Sequence, residues 1–303
     1  MRSIKTATSS PIFLNDSPEV RELTRAHPAY ADAIQSLRTD GYAILETGMS
    51  DAILDTARTY TANAVIKQGR IADGWTRSDA IFNIATHAPI LHLLSTLYGR
   101  RAFPFQTLNF EFGSQQSAHA DSYHFNAKPE GFMCGVWVAL EDVSADAGPV
   151  YYYPGSHRLA STSRTDLPGE RTYRDYEHYV VDLLDEYGFE PQLAVLKKGQ
   201  ALIWAANLVH GGAQRKNPAL TRYSQVTHYY FEGCAYFTPL QYDLVRAQHM
   251  LRNPYDISRE QFVLSNRSLL SGRVNRYRAA RRRAAYAKAK LSRDLRRLID
   301  ATE

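Results

Sequence analysis

With 303 residues, 44% of them hydrophobic and 22% charged, the chain has the composition of an ordinary globular protein and the length for one large domain with a substantial core. That excludes a wholly disordered chain, and no apolar run approaches the roughly 18 residues of a membrane-spanning helix. The formal charge of +5 is concentrated at one end: residues 273–297 hold eleven Lys or Arg against Asp294 alone, leaving 25 basic and 30 acidic residues elsewhere, a net of −5.

Residues 1–20 are expected to form a flexible arm; they carry no signal-peptide-like apolar run, so a cytoplasmic protein is expected. Helical spacing follows at 31–37 and 50–65, the latter opened by Ser50 as an N-cap, with a short strand at 41–45 between them. A further helix at 88–98 places Ile90, Leu91, Leu94 and Leu97 on one face and stops at Gly99. From Phe103 the texture changes to short β-rich runs at 105–112, 131–140, 149–155, 192–205 and 221–231. Strands that follow a helical lead-in rather than alternate with helices indicate a closed or double-sheet β architecture. The polar, helix-capable stretch at 160–192 interrupts them and reads as an inserted lid over a site. Cys134 and Cys234 lie in β-like runs without CxxC spacing and read as buried reduced thiols. The chain thus divides into an arm (1–20), one domain (21–260) and a basic helical extension (261–303).

His119 and Asp121 stand two apart in GSQQSAHADSYHF, a spacing that in an extended chain projects both side chains from one face. Such a pair is weak alone, but His210 follows about 90 residues later at the end of a strand, beside two glycines. Two imidazoles and one carboxylate on one face of an octahedron leave three positions open, which suits Fe(II) chemistry with O2 and a bidentate co-substrate. Twelve residues beyond His210 comes Arg222, followed by Ser224 at i+2. A planar guanidinium suits a carboxylate, so Arg222, helped by Ser224, would grip the distal carboxylate of 2-oxoglutarate.

The segments AHADSYHFNAKPEGFMCGVWVALEDVSADAGPVYYYPGSHRL and KKGQALIWAANLVHGGAQRKNPALTRYSQVTHYY closely resemble the phytanoyl-CoA dioxygenase family of Fe(II)- and 2-oxoglutarate-dependent oxygenases. The resemblance covers roughly residues 30–240 and keeps the H-x-D, GP-x4-PGSH and H-x11-R-x-S runs in the family's order. It implies a mainly β fold, a double-stranded β-helix (jelly-roll or cupin-like) core with flanking N-terminal helices. It also implies iron on His119, Asp121 and His210, and 2-oxoglutarate on Arg222, with Gln106 and Asn109 as further contacts. Halogenating relatives replace the carboxylate with a small residue; Asp121 is kept, which favours hydroxylation of a small-molecule or lipid-linked substrate. The competing reading is a catalytically inactive cupin-like metal- or partner-binding protein, which would be expected to have lost a ligand or Arg222.

Other residues have plainer readings. His124 suits a substrate contact or a support of the metal ligands, Trp137 a pocket wall or core packing, His157 the fixing of the Pro-Gly turn, and His228 the interior. Arg215, in the loop GGAQRKNP, reads as a solvated charge. A helix is expected from about Val274 to Ile299, with Tyr277, Ala280, Ala284, Ala287, Leu291, Leu295 and Leu298 on one weakly apolar stripe. That stripe would pack on the body or a second subunit of a homo-oligomer, or rest peripherally on an anionic membrane surface; nucleic acid ranks below these because the stripe lacks interleaved aromatics.

Overall fold

The computed structural model describes residues 10–14, 18–64 and 69–300. The β-branched and aromatic runs pair into an antiparallel sheet ordered β1 (Tyr42–Glu46), β9 (Gln200–Ala205), β6 (Met133–Ala139), β11 (Ser224–Phe231), β3 (Ala102–Phe110) and β2 (Ile71–Ala72). Strands β6 and β11 are buried along their whole length because both faces of the sheet are covered. With a side-chain period of two, Val136, Val138, Ala201 and Ile203 face one way, and Trp137, Leu202, Trp204 and Val226 the other.

The first face is covered by helices. After α1 (Pro18–Ala26) and α2 (Ala31–Thr39) come α3 (Asp51–Asn63), α4 (Asp79–Ala85) and α5 (Ala88–Tyr98), which bring Leu54, Ile81, Ile84, Ile90 and Leu94 into the core. Among the described residues, 79–98 is the one stretch long and apolar enough to cross a membrane, contrary to the sequence expectation that none approaches this. It is the pair α4 and α5, separated ahead of Pro89, with Ile81, Ile84, Leu94 and Leu97 turned into the core.

The second face packs on a smaller antiparallel sheet of β4 (His119–Ala120), β10 (Val209–Gly212), β7 (Val150–Tyr152) and β8 (Gln192–Leu193). Trp137, Trp204 and Val226 meet Val150 and Tyr152 between the sheets. The protein is therefore mainly β with helices, an arrangement consistent with a jelly-roll core. A third sheet, β16 (Gly272–Val274), β13 (His249–Arg252), β12 (Ala235–Phe237) and β5 (Asn126–Lys128), and the hairpin of β14 (Tyr255–Asp256) and β15 (Gln261–Phe262) extend one end. A single helical turn, α6 (Asp121–His124), follows β4. The inserted segment carries α7 (Tyr173–Glu186), opened by a capping box between Thr172 and Asp175. It docks through Tyr176, Val180 and Leu184 beside Tyr123 and Val209.

Two expectations about the ends are corrected. Part of the arm expected to be flexible is packed: a turn at Ile12–Leu14 buries Phe13 completely, its ring edge-on to Tyr98 at 4.9 Å. Residues 1–9 and 15–17 lie outside the described residues. The C-terminal helix α8 (Arg276–Asp300) forms, but the expected stripe is not its packed face. Ala280, Ala284, Ala287, Leu291 and Leu295 are all exposed, whereas Tyr286, Ala289 and Arg293 are buried. The side chains of Tyr277 and Leu298 lie outside the described residues. The reason is size and polarity together. The Tyr286 ring lies 5.2 Å from Trp75 and 4.7 Å from Tyr255, and its hydroxyl donates to Asp73 Oδ2 at 2.9 Å. Arg293 pairs with Glu260, donates to the Trp75 carbonyl at 3.1 Å and covers the Trp75 and Phe82 rings. A stripe of alanines offers far less area than this tyrosine. Accordingly, Tyr286→Ala should cost about 3 kcal/mol of stability, whereas Leu291→Ala, at a residue 72% exposed, should change it by less than about 0.5 kcal/mol. Chemical denaturation of both variants checks this, and the opposite ranking would restore the alanine stripe as the packed face.

Candidate metal centre and co-substrate pocket

The site is built where β10 runs antiparallel to β4, with His210 directly opposite His119 and Val209 opposite Ala120. Asp121 does not stay on the strand as its spacing suggested. It begins the α6 turn, which swings its carboxylate beside the two imidazoles. One ligand atom from each of His119, Asp121 and His210 lies within 4.8 Å of the others, and all three residues are buried.

The hydrogen bonds prepare these donors for a metal. His119 Nδ1 lies 2.9 Å from the Ser117 carbonyl and His210 Nδ1 lies 3.0 Å from the Leu208 carbonyl. A proton on each Nδ1 leaves each Nε2 with a free lone pair. Burial first, and then the neighbouring His210, push the His119 pKa down to about 3, so the ring is neutral at ordinary pH. Burial alone would raise the Asp121 pKa, but His228 and then His210 hold it well below the usual carboxylate range. Two imidazoles with Nε2 turned to the site and one carboxylate fit a divalent transition metal with an open side, the 2-His-1-carboxylate pattern of Fe(II) oxygenases.

Two supports of Asp121 escaped the sequence reading. Trp204 Nε1 donates to Asp121 Oδ2 at 2.8 Å while its ring packs on His210 at 4.6 Å, and His228 Nε2 lies 3.4 Å from the same oxygen. Both side chains flank Gly135, which pairs with Trp204 on one side and His228 on the other. A Cβ at Gly135 would lie 2.2 Å from the Trp204 ring, so the centre of β6 has to be glycine for the indole to reach Asp121. His228, read as an interior residue, thus touches the centre itself.

Beside the ligands is a cavity of about 170 Å³ lined by Arg70, Gln106, His124, Arg222 and His228 among others. Arg222 is only 2% exposed and, among the described residues, has no ion-pair partner. Its guanidinium lies 5.3 Å from the Trp137 ring and 5.4 Å from Phe110, donates weakly to the Phe112 carbonyl at 3.4 Å, and has a buried Nε without a partner. Desolvation lowers its pKa to about 10. A buried cation of this kind requires an anion, and a carboxylate fits its fork. The Trp137 Nε1 is likewise buried without a partner, a second donor beside Arg222.

The other expected contacts divide by strand parity. Gln106 lines the cavity, but Asn109 faces the helices, where its amide donates to Gln225 Oε1 at 3.2 Å; an odd separation on one strand cannot serve one face. Ser224 does not line the cavity, because its hydroxyl turns back to the Arg222 carbonyl at 3.3 Å. His124 lines the cavity with Nε2 3.4 Å from the Tyr173 hydroxyl on α7. From the same helix Tyr176 stacks on Tyr123 at 3.8 Å and its hydroxyl accepts from the Ala120 amide, between two ligands, at 2.8 Å. His157 contacts the Arg38 carbonyl at 3.3 Å and Arg215 covers the Phe112 ring, both away from the cavity.

The Trp204 contact is testable without altering a ligand. Trp204→Phe should weaken Fe(II) binding about 10- to 100-fold, the usual cost of losing a support of a metal ligand. Anaerobic metal titration measures it; unchanged affinity would show that the indole only packs.

The comparisons with known proteins agree with this geometry. The family model described as Phytanoyl-CoA dioxygenase (PhyH) matches residues 37–223, more than half of the chain. The phytanoyl-CoA dioxygenase domain-containing protein 1 of Danio rerio is 28% identical over 150 residues, covering 46% of this chain and 50% of that protein. The Mus musculus protein of the same name is 30% identical over 91 residues, 28% of this chain and 31% of that protein. The matched part thus spans about half or less of these curated relatives. Among solved structures, the epimerase SnoN with Fe3+, alpha ketoglutarate and nogalamycin RO aligns over 73% of this chain and 90% of that chain, with a TM-score of 0.54 at 22% identity. EctD from S. alaskensis with 2-oxoglutarate and 5-hydroxyectoine aligns over 90% of this chain and 97% of that chain, with a TM-score of 0.54 at 16% identity. These two likenesses concern the fold. On the family match and the ligand set it contains, the chain belongs to the phytanoyl-CoA dioxygenase family.

Proposed function

We propose that the protein is an Fe(II)- and 2-oxoglutarate-dependent dioxygenase that hydroxylates a small-molecule or lipid-linked substrate. The observation that carries this reading is the meeting, at one cavity, of His119, Asp121 and His210 with Arg222, a buried cation lacking an acid of its own. Bound Fe(II) supplies O2 activation: one oxygen atom goes to the substrate as a hydroxyl and the other to 2-oxoglutarate, which becomes succinate and CO2. His119, Asp121 and His210 hold the metal from one side and leave the cavity side open. Arg222 would anchor the distal carboxylate with Trp137 Nε1 beside it, while Gln106 and His124 face the substrate. Packed side chains around Arg222 exclude water, which strengthens a charge-assisted contact there.

Supplied with Fe(II), O2 and 2-oxoglutarate, the wild type should form succinate, and Asp121→Ala or His210→Ala should abolish it. Arg222→Ala should raise the 2-oxoglutarate requirement about 10- to 100-fold, since a bond to a charged group contributes about 1.5–3 kcal/mol. Arg215→Ala should leave that requirement unchanged. Succinate formation by Asp121→Ala, or an effect of Arg215 in place of Arg222, overturns the assignment.

The exposed face of α8 supports a peripheral contact with an anionic membrane. Leu291 and Leu295 are 72% and 58% exposed, among the exposed Lys288 and Lys290, while the opposite face anchors the helix to the body. Each basic residue near such a surface contributes about 1 kcal/mol, so binding should be reversible and fall steeply with salt. In liposome co-sedimentation, Lys288→Glu with Lys290→Glu should abolish binding to anionic vesicles at unchanged melting temperature. Equal binding by that variant removes the membrane from this reading.

A further inference from the structure

A second cavity, of about 120 Å³, lies between the third sheet and the start of α8, apart from the metal ligands. Its polar lining comprises Thr238, Gln241, Asn253 and Asn275, and it is bounded by two arginines, Arg252 on β13 and Arg282 on α8. Among the described residues neither arginine has an acid within ion-pair distance. Arg252 donates to Thr238 Oγ1 at 3.3 Å, and its Nε is buried without a partner. The acid whose field reaches both arginines is Asp73. That carboxylate is already held by the Tyr286 hydroxyl, the Thr107 amide and the Trp75 indole, and it does not line the cavity. Two like charges therefore share one cavity whose lining contains no carboxylate. Burial foremost lowers the Arg252 pKa, and the charge of Arg282 adds to that.

We propose that this cavity is a binding site for a phosphate-type oxyanion held between Arg252 and Arg282. Paired guanidinium forks match a tetrahedral oxyanion, and Thr238 with the side-chain amides of Gln241 and Asn253 offers further donors. The anion would relieve the repulsion between the arginines and supply the partner that Arg252 Nε lacks. The position also links the site to the metal centre. The Arg252 guanidinium lies 4.6 Å from the centroid of Phe125, and Phe125 lines the metal cavity, so one aromatic ring separates the two. A phosphate could arrive free in solution or as the distal group of a substrate seated in the metal cavity.

The site stands independently of the iron chemistry, and its test needs no turnover. Inorganic phosphate is titrated into the full-length protein by calorimetry, with chloride matching the ionic strength. Saturable binding is expected for the wild type and for Arg222→Gln, with affinity at least about tenfold weaker in Arg282→Gln, which loses a charge-assisted bond. Arg282 is exposed, so this variant should melt as the wild type does; Arg252→Gln is a second variant that should bind more weakly. No saturable binding by the wild type, wild-type affinity in Arg282→Gln, or loss confined to Arg222→Gln overturns the proposal. Hexyl phosphate then separates the sources. Binding tighter than that of inorganic phosphate, and weakened by Arg282→Gln, identifies a substrate-borne phosphate; equal affinities, both weakened by Arg282→Gln, identify the free anion.

Discussion

Every other feature of the site depends on the antiparallel pairing of β10 with β4, which sets His210 opposite His119 although 91 residues separate them in the chain. A slip of one residue would turn one imidazole to the other side of the sheet and leave two ligands where three are needed. The register is held by close approach. A Cβ at Gly211 would lie 2.4 Å from the Tyr151 ring, and one at Gly212 would lie 2.6 Å from Ser114 Oγ, so the two glycines after His210 let β10 lie between its neighbours. Across the sandwich, the missing side chain of Gly135 does the same for Trp204. Absent side chains at three positions thus bring the functional ones into contact.

The helices serve this arrangement at one remove. α3, α4 and α5 cover the back of the large sheet, so its inner face can be given over to polar groups that an uncovered sheet would expose to water. α7 supports the ligand segment directly, with Tyr176 bonded to the Ala120 backbone. α8 closes the far side by stacking on Trp75, whose segment follows β2, the short strand that begins just after the cavity-lining Arg70.

Much of the centre was legible in the sequence because its chemistry depends on residue type and order. His119, Asp121 and His210 are recognisable by residue type and order, and the fold brings them together, while Arg222 stands out by its spacing from His210. What was not legible depended on register. Asn109 and Gln106 looked equivalent as amides on one strand, yet counting by two puts them on opposite faces. Trp204 and His228 became partners of Asp121 only when the strands were aligned through Gly135. The C-terminal helix was misread because apolar periodicity ranks Leu above Arg. Arg293 is buried by an ion pair and two aromatic faces, interactions that a hydropathy pattern does not register. Phe13 escaped because a lone aromatic in a polar segment carries no period at all.

If Arg222 holds the distal carboxylate as proposed, its uncompensated charge also decides which 2-oxo acids the pocket accepts. Any 2-oxo acid presents the same keto-carboxylate group to the open side of the metal, so chelation alone does not discriminate among them. The guanidinium would, by exclusion: a ligand whose chain ends in a methyl group would leave Arg222 buried and unpaired. A site built to bond a polar group rejects analogues lacking that group far more strongly than an apolar slot rejects a missing methylene, by factors on the order of 10⁴–10⁵. On the proposed reading, selectivity at this pocket would be a penalty for absence, set by a single residue placed away from the metal ligands.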